Sequence, residues 1–319
     1  MNTENKDFSG LDYKLILDVR TNTSCDFHRI VMPFRYITPE PKVPVYMFNR
    51  ISSHGLDFLY KLKAQGVKII MDLDDHYQID PSHYLFQTFM REGMTNHLIA
   101  NIKLADVVTV TTSLLASKIR HLNSNIVIIP NALPFDQDQF SISNERESKT
   151  PVVWVGGASH HNDLKLIQNV PLADKMTFVG YNPDNKEWIK IKLDHPKVNY
   201  ESELRLNNYM RAYDGHKIAI APLTDTVFNS CKSNLKVLEA GAKGLPIVCS
   251  QVEPYYNSVD KDVVIYANNK TEWHSELTKL IVYKDYCQDQ GEKLAEHVRL
   301  HYNLKDANEL RRQLIESFS

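Results

Sequence analysis

The sequence predicts an α/β fold of two domains, each a mostly parallel sheet flanked by helices. Three observations predict it. Short runs rich in Val and Ile recur with continuous rather than alternating apolar character, as expected of strands buried on both faces. Amphipathic stretches that fit crossover helices separate them. The 319 residues also exceed what one ordinary core usually encloses.

In the first half the apolar runs are residues 15–19, 43–48, 67–71, 107–110 and 126–129, with a crossover helix over 55–65. Pro130-Asn131-Ala132-Leu133-Pro134 closes that half, and residues 136–150 are polar, rich in Ser, Asn and Glu, and without periodicity. This places a first domain at 1–135 and a second at 136–319. The second half begins afresh with runs at 152–155, 176–179, 218–221, 247–249 and 263–266. A helix over 235–243 is ended by Gly244 and Pro246. From Lys270 onward the pattern is helical, closing with 304–318, where Ala307, Leu310 and Leu314 stand at helical spacing.

Composition narrows the function classes. A hydrophobic fraction of 43% with 24% charged residues describes a packed globular chain. Lys+Arg (37) and Asp+Glu (39) nearly cancel, so no strong global field draws the protein onto nucleic acid or anionic lipid, although a local basic groove stays open. Cys25, Cys231, Cys249 and Cys287 are scattered, with no C-x-x-C and no companion His spacing. That argues against a zinc site or a disulfide framework and for a reducing compartment. The polar opening MNTENKDFSG lacks the apolar core of a signal peptide. No apolar run approaches the roughly 20 residues that span a bilayer. The expected location is cytoplasmic.

In open parallel sheets, ligands bind at the carboxyl ends of strands. Three such ends stand out. At the first, Gly156-Gly157 directly follows a strand, so backbone amides can approach an anion, and His160 or His161 can touch a phosphate or sugar. The alternative is an ordinary tight turn with Asp163 near a helix start. The second runs from Pro222 to a helix beginning near Lys232. Lys232, Lys236, Glu239 and Lys243 share one face beside an apolar stripe of Leu235, Leu238 and Ala242. Lys232, Ser233 and the helix start can hold a diphosphate, and Glu239 can take hydrogen bonds from a ribose. The alternative is a solvated face of paired charges. At the third, Asp72, Asp74, Asp75 and His76 end a strand, with Asp72 and Asp74 on the same side. They can bind a metal, act as a base, or simply serve as turn and cap residues.

Phe228-Asn229-x-x-Lys232-Ser233-x-x-Lys236-x-x-Glu239-Ala240, followed by Gly244-x-Pro246-x-Val248-x-Ser250, resembles the donor-site signature of group 1 glycosyltransferases with the GT-B fold. Gly156-Gly157-x-x-His160-x-x-Asp163-Leu164 is similar to the glycine loop opening the C-terminal domain in that group. Asp72-x-Asp74-Asp75, and Ala105-Asp106-Val107-Val108-Thr109-Val110 leading to Ile129-Pro130-Asn131, fit its N-terminal domain. The resemblance covers most of residues 45–260. It implies two facing Rossmann-like domains, with the nucleotide-sugar donor in the C-terminal one and the acceptor chiefly in the N-terminal one. It also implies a last helix crossing back to the N-terminal domain, and no metal or other cofactor. One departure stands out. Many retaining members carry two glutamates separated by seven residues, the second matching Glu239, and here the first position is Cys231. That thiol is either a small buried hydrophobe or a helix-start thiol of lowered pKa.

The resulting expectation is a glycosyltransferase, hexosyl or pentosyl. Gly156, Gly157, Asn229, Lys232, Ser233, Lys236 and Glu239 bind the donor, and Asp75, His76 and His160 act in catalysis. Asp72, Asp74, Arg29 and Arg50 lie on the acceptor side. The acceptor is a bacterial glycan or a hydroxymethylated base of phage DNA, for which Arg20, Arg29, Arg35 and Arg50 can line a phosphate path; the alternative for those arginines, slightly favoured, is scattered surface charge. A non-catalytic glycan- or nucleotide-binding module of the same fold is the rival reading. A nicotinamide-dependent oxidoreductase is disfavoured, because neither half shows G-x-G-x-x-G after its first strand.

Overall fold

The computed structural model describes residues 14–19, 23–142 and 149–319. Arg20 and the polar opening stretch lie outside them. The chain forms two compact units. The first contains the chain through Tyr77, Gly93–Ile129 and Lys305–Ser319; the second contains Gln78–Glu92 and Pro130–Leu304. Residues 78–92 and 130–135, assigned by sequence to the first domain, therefore group with the second. Residues 305–319 group with the first.

The first unit carries five parallel strands: β1 Leu15–Asp18, β2 Val45–Asn49, β3 Lys68–Leu73, β4 Val107–Val110 and β5 Ile126–Ile128. Their spatial order is simply 1-2-3-4-5. β2 is buried along its whole length, which explains its unbroken apolar run. Helix Leu304–Glu316 docks here: Ile315 joins Ile30, Val45, Met47 and Ile70 in one cluster, and the Asn308 side-chain amide donates to the Pro33 carbonyl at 3.0 Å. Ala307 is buried as expected, but Leu310 is exposed and Ile315 takes its place in the core. The helical stripe is thus rotated by about one residue from the expected one.

The second unit carries β6 Val152–Val155, β7 Met176–Tyr181, β8 Asn199–Ser202, β9 Ile218–Ala221, β10 Ile247–Cys249 and β11 Ile265–Tyr266. All pairs are parallel and the order is 11-10-9-6-7-8. The chain enters at β6 in the middle, builds outward through β7 and β8, then returns to β9 and builds the other way. β6 and β9 therefore flank the point where the strand order reverses, the place where open sheets of this kind bind ligands. Strand β8 has no signal in the sequence, because its four residues, NYES, lie at an edge and none is buried. Trp154 and Trp188, with rings 5.8 Å apart and edge to face, centre the core with Phe178, Val248 and Trp273.

Gly156 follows β6 where that core comes up against the loop. A Cβ there would stand 2.5 Å from the Trp154 ring, whereas one on Gly157 would meet only the Ser159 hydroxyl at 4.0 Å. Gly156→Ala is therefore expected to destabilise the second unit by about 1–3 kcal/mol, and Gly157→Ala to leave it nearly unchanged. Urea unfolding followed by tryptophan fluorescence reads this directly, since Trp154, Trp188 and Trp273 all belong to the second unit.

Candidate functional site

The loops that leave β6 and β9 are joined by one carboxylate. Asp163, 4% exposed, accepts from the Thr224 backbone amide at 2.8 Å, the Thr224 hydroxyl at 2.7 Å and the Asn229 side-chain amide at 3.1 Å. Its second oxygen stands 2.7 Å from His160 Nδ1. The two segments singled out separately in the sequence are thus one construction. Asp163 is a tie between loops rather than a simple helix-start residue.

The tie decides what each neighbour can do. His160 has Nδ1 engaged by Asp163 and its ring edge-on to Trp154, so the imidazole is oriented and Nε2 is the nitrogen left to address a ligand. His161 is different: Nδ1 lies 3.2 Å from Glu187 and Nε2 2.8 Å from Asp194, so both ring nitrogens are occupied. The choice between the two histidines falls on His160. The Asn229 amide donates to Asp163, to the Thr224 carbonyl at 3.0 Å and to the Thr224 hydroxyl at 2.9 Å. Expected to bind donor, Asn229 instead holds the loop. Gly156 needs a similar correction. Its N–H donates to the Val179 carbonyl at 3.0 Å, continuing the sheet ladder, so Gly157 is the glycine whose amide can turn toward an anion.

Helix Leu235–Ala242 starts beyond the turn Val227–Ser230, a few residues later than the expected start near Lys232. Its N-cap, Asn234, makes no side-chain capping bond, which leaves the helix's positive end without an internal partner of that kind. Ser233 accepts from the Asn131 amide at 2.7 Å, so its own proton can be donated elsewhere. Lys232 lies over the Phe228 ring, 4.7 Å from its centre.

The solvated-face reading of this helix does not survive. Glu239 is 1% exposed and accepts through the same oxygen, Oε2, from the Tyr213 hydroxyl at 2.7 Å and Lys236 at 3.0 Å. Lys243 is also buried, paired with Asp214 at 2.9 Å. Burial and the Glu239 charge push the Tyr213 hydroxyl well above its ordinary value, so it stays a proton donor to Glu239. Tyr213 carried no signal in the sequence. Cys231 is fully buried, which supports its reading as a small buried hydrophobe.

In the first unit Asp72 meets Arg29 in a two-pronged ion pair, Nε to Oδ1 at 2.9 Å and Nη2 to Oδ2 at 2.8 Å. Thr109 at 2.6 Å and Asn49 at 3.1 Å complete its shell. Both charged side chains are 1% exposed. Expected on the acceptor side, Arg29 and Asp72 form an interior pair, because a charge in the core needs a full complement of partners. Asp74 does lie on the same side as Asp72, as strand alternation predicts, for Asn49 Nδ2 reaches both, Asp74 at 3.4 Å. Asp74 is raised above the usual carboxylate range, first by burial and then by the Asp75 charge. Arg50 lies 3.5 Å from Asp75 and has a backbone φ of 60°, an uncommon conformation for a side chain of this size. His76 is 4% exposed and stacked on Tyr77, so of the two expected bases Asp75 is the more accessible.

A surface cavity of about 310 Å³ in the second unit is lined by residues including Ser82, Tyr84, His161 and Lys190. It contains none of the expected donor residues.

Burial alone would raise the Asp163 carboxyl, but the His160 and Thr224 hydrogen bonds and the His160 charge outweigh it and hold the group below its ordinary value. A group lowered on folding contributes stability above the unfolded carboxylate value of about 3.9, and that contribution disappears as pH falls through the folded value. Asp163→Asn should therefore be less stable than the parent near pH 7, by on the order of 3 kcal/mol. The gap should narrow toward pH 3. Denaturation midpoints across this range check it, and parallel pH curves would count against the tie.

No protein-family model matches the sequence, and no curated protein matches it. Solved structures do match. Sucrose-phosphate synthase from Thermosynechococcus elongatus superposes with a TM-score of 0.64 at 13% identity, covering 85% of this chain and 73% of that one. TarM from S. aureus, solved with fondaparinux, alpha-GlcNAc-glycerol and UDP, gives 0.61 at 11%, covering 86% of this chain but 55% of its own. A UDP-forming alpha,alpha-trehalose-phosphate synthase from Burkholderia xenovorans, in complex with glucose-6-phosphate, gives 0.60 at 12%, covering 86% and 72%. At such identities the likeness is one of fold, and the chain carries the GT-B fold of these glycosyltransferases: two parallel α/β sheets flanked by helices.

Proposed function

We propose that this protein is a glycosyltransferase that takes a sugar from a nucleotide-sugar donor held in its second unit. The observation that carries the reading is the Asp163 tie. It joins the loop of His160 and the Gly157 turn to the Thr224–Asn229 segment, which leads on toward helix Leu235–Ala242, at the sheet's reversal point. The similar structures are consistent with it. TarM is solved with UDP, and an E. coli trehalose-6-phosphate enzyme with UDP-2-fluoro glucose.

In this mechanism the difficult event is departure of the nucleoside diphosphate, whose oxygens gain charge as the glycosidic bond breaks. Lys232, the Ser233 hydroxyl, the Gly157 amide and the helix start supply fixed positive potential at those oxygens. His160, aimed by Asp163, reaches the sugar–phosphate junction through Nε2. Glu239, held by Tyr213 and Lys236, takes the ribose hydroxyls. No metal enters this scheme. On the acceptor side, Asp75 with Asp74 and Arg50 is the acid–base group, and Asp75 would take the proton of an incoming hydroxyl if the outcome is inverting.

Among the acceptors, a glycan fits better than phage DNA. Among the described arginines of the DNA path, Arg29 belongs to the interior pair, Arg50 is tied to Asp75 and Arg35 is exposed. A flat salt response of acceptor binding is expected, where DNA would give a steep decline. As for location, no helix among the described residues is long and apolar enough to cross a membrane. A cytoplasmic place is proposed with the activity.

The binding-module alternative is favoured by one feature, the buried Cys231 at a position where many retaining members have a carboxylate. Release of sugar from labelled donor separates the two readings. Lys232→Ala and His160→Ala should each lower turnover by about 10²-fold or more, the scale of removing one oxyanion donor. Glu239→Ala should instead raise the donor concentration needed for half-saturation. Thermal shift against a panel of nucleotide sugars should single out a stabilising donor in the parent. Full turnover in both the Lys232 and Glu239 variants removes the donor-site assignment.

A further inference from the structure

Helix Lys284–His301 ends with two histidines four residues apart, so His297 and His301 share one face at its last turn. Their rings stand 4.6 Å apart. Asp260, from the loop after Glu253–Tyr256, faces them, and one candidate ligand atom from each of the three lies within 4.8 Å of the others. We propose that His297, His301 and Asp260 bind one divalent transition-metal cation of the zinc kind, at a site separate from the donor residues.

The geometry favours a cation over a plain ion pair. His297 Nδ1 is 3.5 Å from an Asp260 oxygen, too long for a good N–H···O bond of about 2.7–3.2 Å. It is close to the roughly 3.4 Å that separates neighbouring ligand atoms around a tetrahedral ion with bonds of about 2.0–2.1 Å. Two imidazoles and a carboxylate suit zinc, with water in the fourth position. The negative end of the helix adds to the attraction.

Both sides of the site are anchored. Val298, next to His297, packs so closely on Gly241 that a Cβ there would fall 2.6 Å from it, which fixes the helix. The Tyr302 hydroxyl donates to the Ser258 carbonyl, which fixes the loop. His301 and Asp260 are exposed, so small rotations bring them into range and their substitution leaves the core intact.

The test is calorimetric titration of the untagged chain with zinc chloride. The parent should bind one equivalent. Loss of even an outer partner of a metal ligand costs about 10–100-fold, so His301→Ala and Asp260→Asn should each weaken binding by at least that much. His97→Ala, an exposed histidine of the first unit, should bind as the parent does. Absence of saturable one-equivalent binding in the parent, or parental affinity in both site variants, overturns the proposal.

Discussion

The second unit depends on a buried carboxylate that no single element can satisfy. Asp163 is at the start of its own short helix, yet its partners come from the loop beyond β9. A charge this deep is tolerated only when donors surround it. That requirement couples loops from two strands which the chain order keeps far apart. Were the carboxylate unmet, neither the imidazole of His160 nor the turn at Thr224 would have a defined place. Positioning and stability are one interaction here.

The first unit solves a comparable problem without obvious chemistry. Arg29 and Asp72 neutralise each other in the core, with Thr109 and Asn49 filling the remaining sites. Arg311, on the last helix, is buried beside them, and burial together with the Arg29 charge pushes it down to about 9. A hydrophobic replacement would satisfy the fold at least as well. What the pair does specify is direction. With Asp72 turned inward, the next acidic residues, Asp74 and Asp75, lie at the strand's carboxyl end beside Arg50.

Much of the fold was legible because buried parallel strands leave continuous apolar runs. Among the described residues ten of the eleven strands coincide with such runs, and β8 does not because an edge strand has no need of them. The sequence places a helix start near Lys232, but the short helix Val227–Ser230, capped by Thr226, ends before that residue and the next helix begins only at Leu235. Residue types at the site were readable; their engagement was not. Asn229 and Gly156 look like ligand-binding residues by motif, yet a loop bond and a ladder bond consume them. Arg29 and Asp72 read as acceptor-side residues because sequence does not show which charge has a partner inside. The same blindness hid Tyr213 and the histidine pair at 297 and 301, whose significance rests on residues distant in the chain.

Cys231 sharpens the electrostatics. Where a carboxylate would add negative charge beside the departing diphosphate, this chain has a buried thiol. A helix start contributes about 0.3–1 kcal/mol at an exposed site and up to about 2 kcal/mol when partly buried. A fixed donor at a developing oxyanion is worth about 2.7–4 kcal/mol. Lys232 and His160 must therefore supply most of the stabilisation in the proposed reaction, with the helix assisting. Glu239, neutralised by Lys236 and hydrogen-bonded by Tyr213, is then a negative group kept from opposing them. In the proposed reaction this arrangement concentrates positive potential where the leaving group gains charge and commits the Glu239 carboxylate to the ribose end.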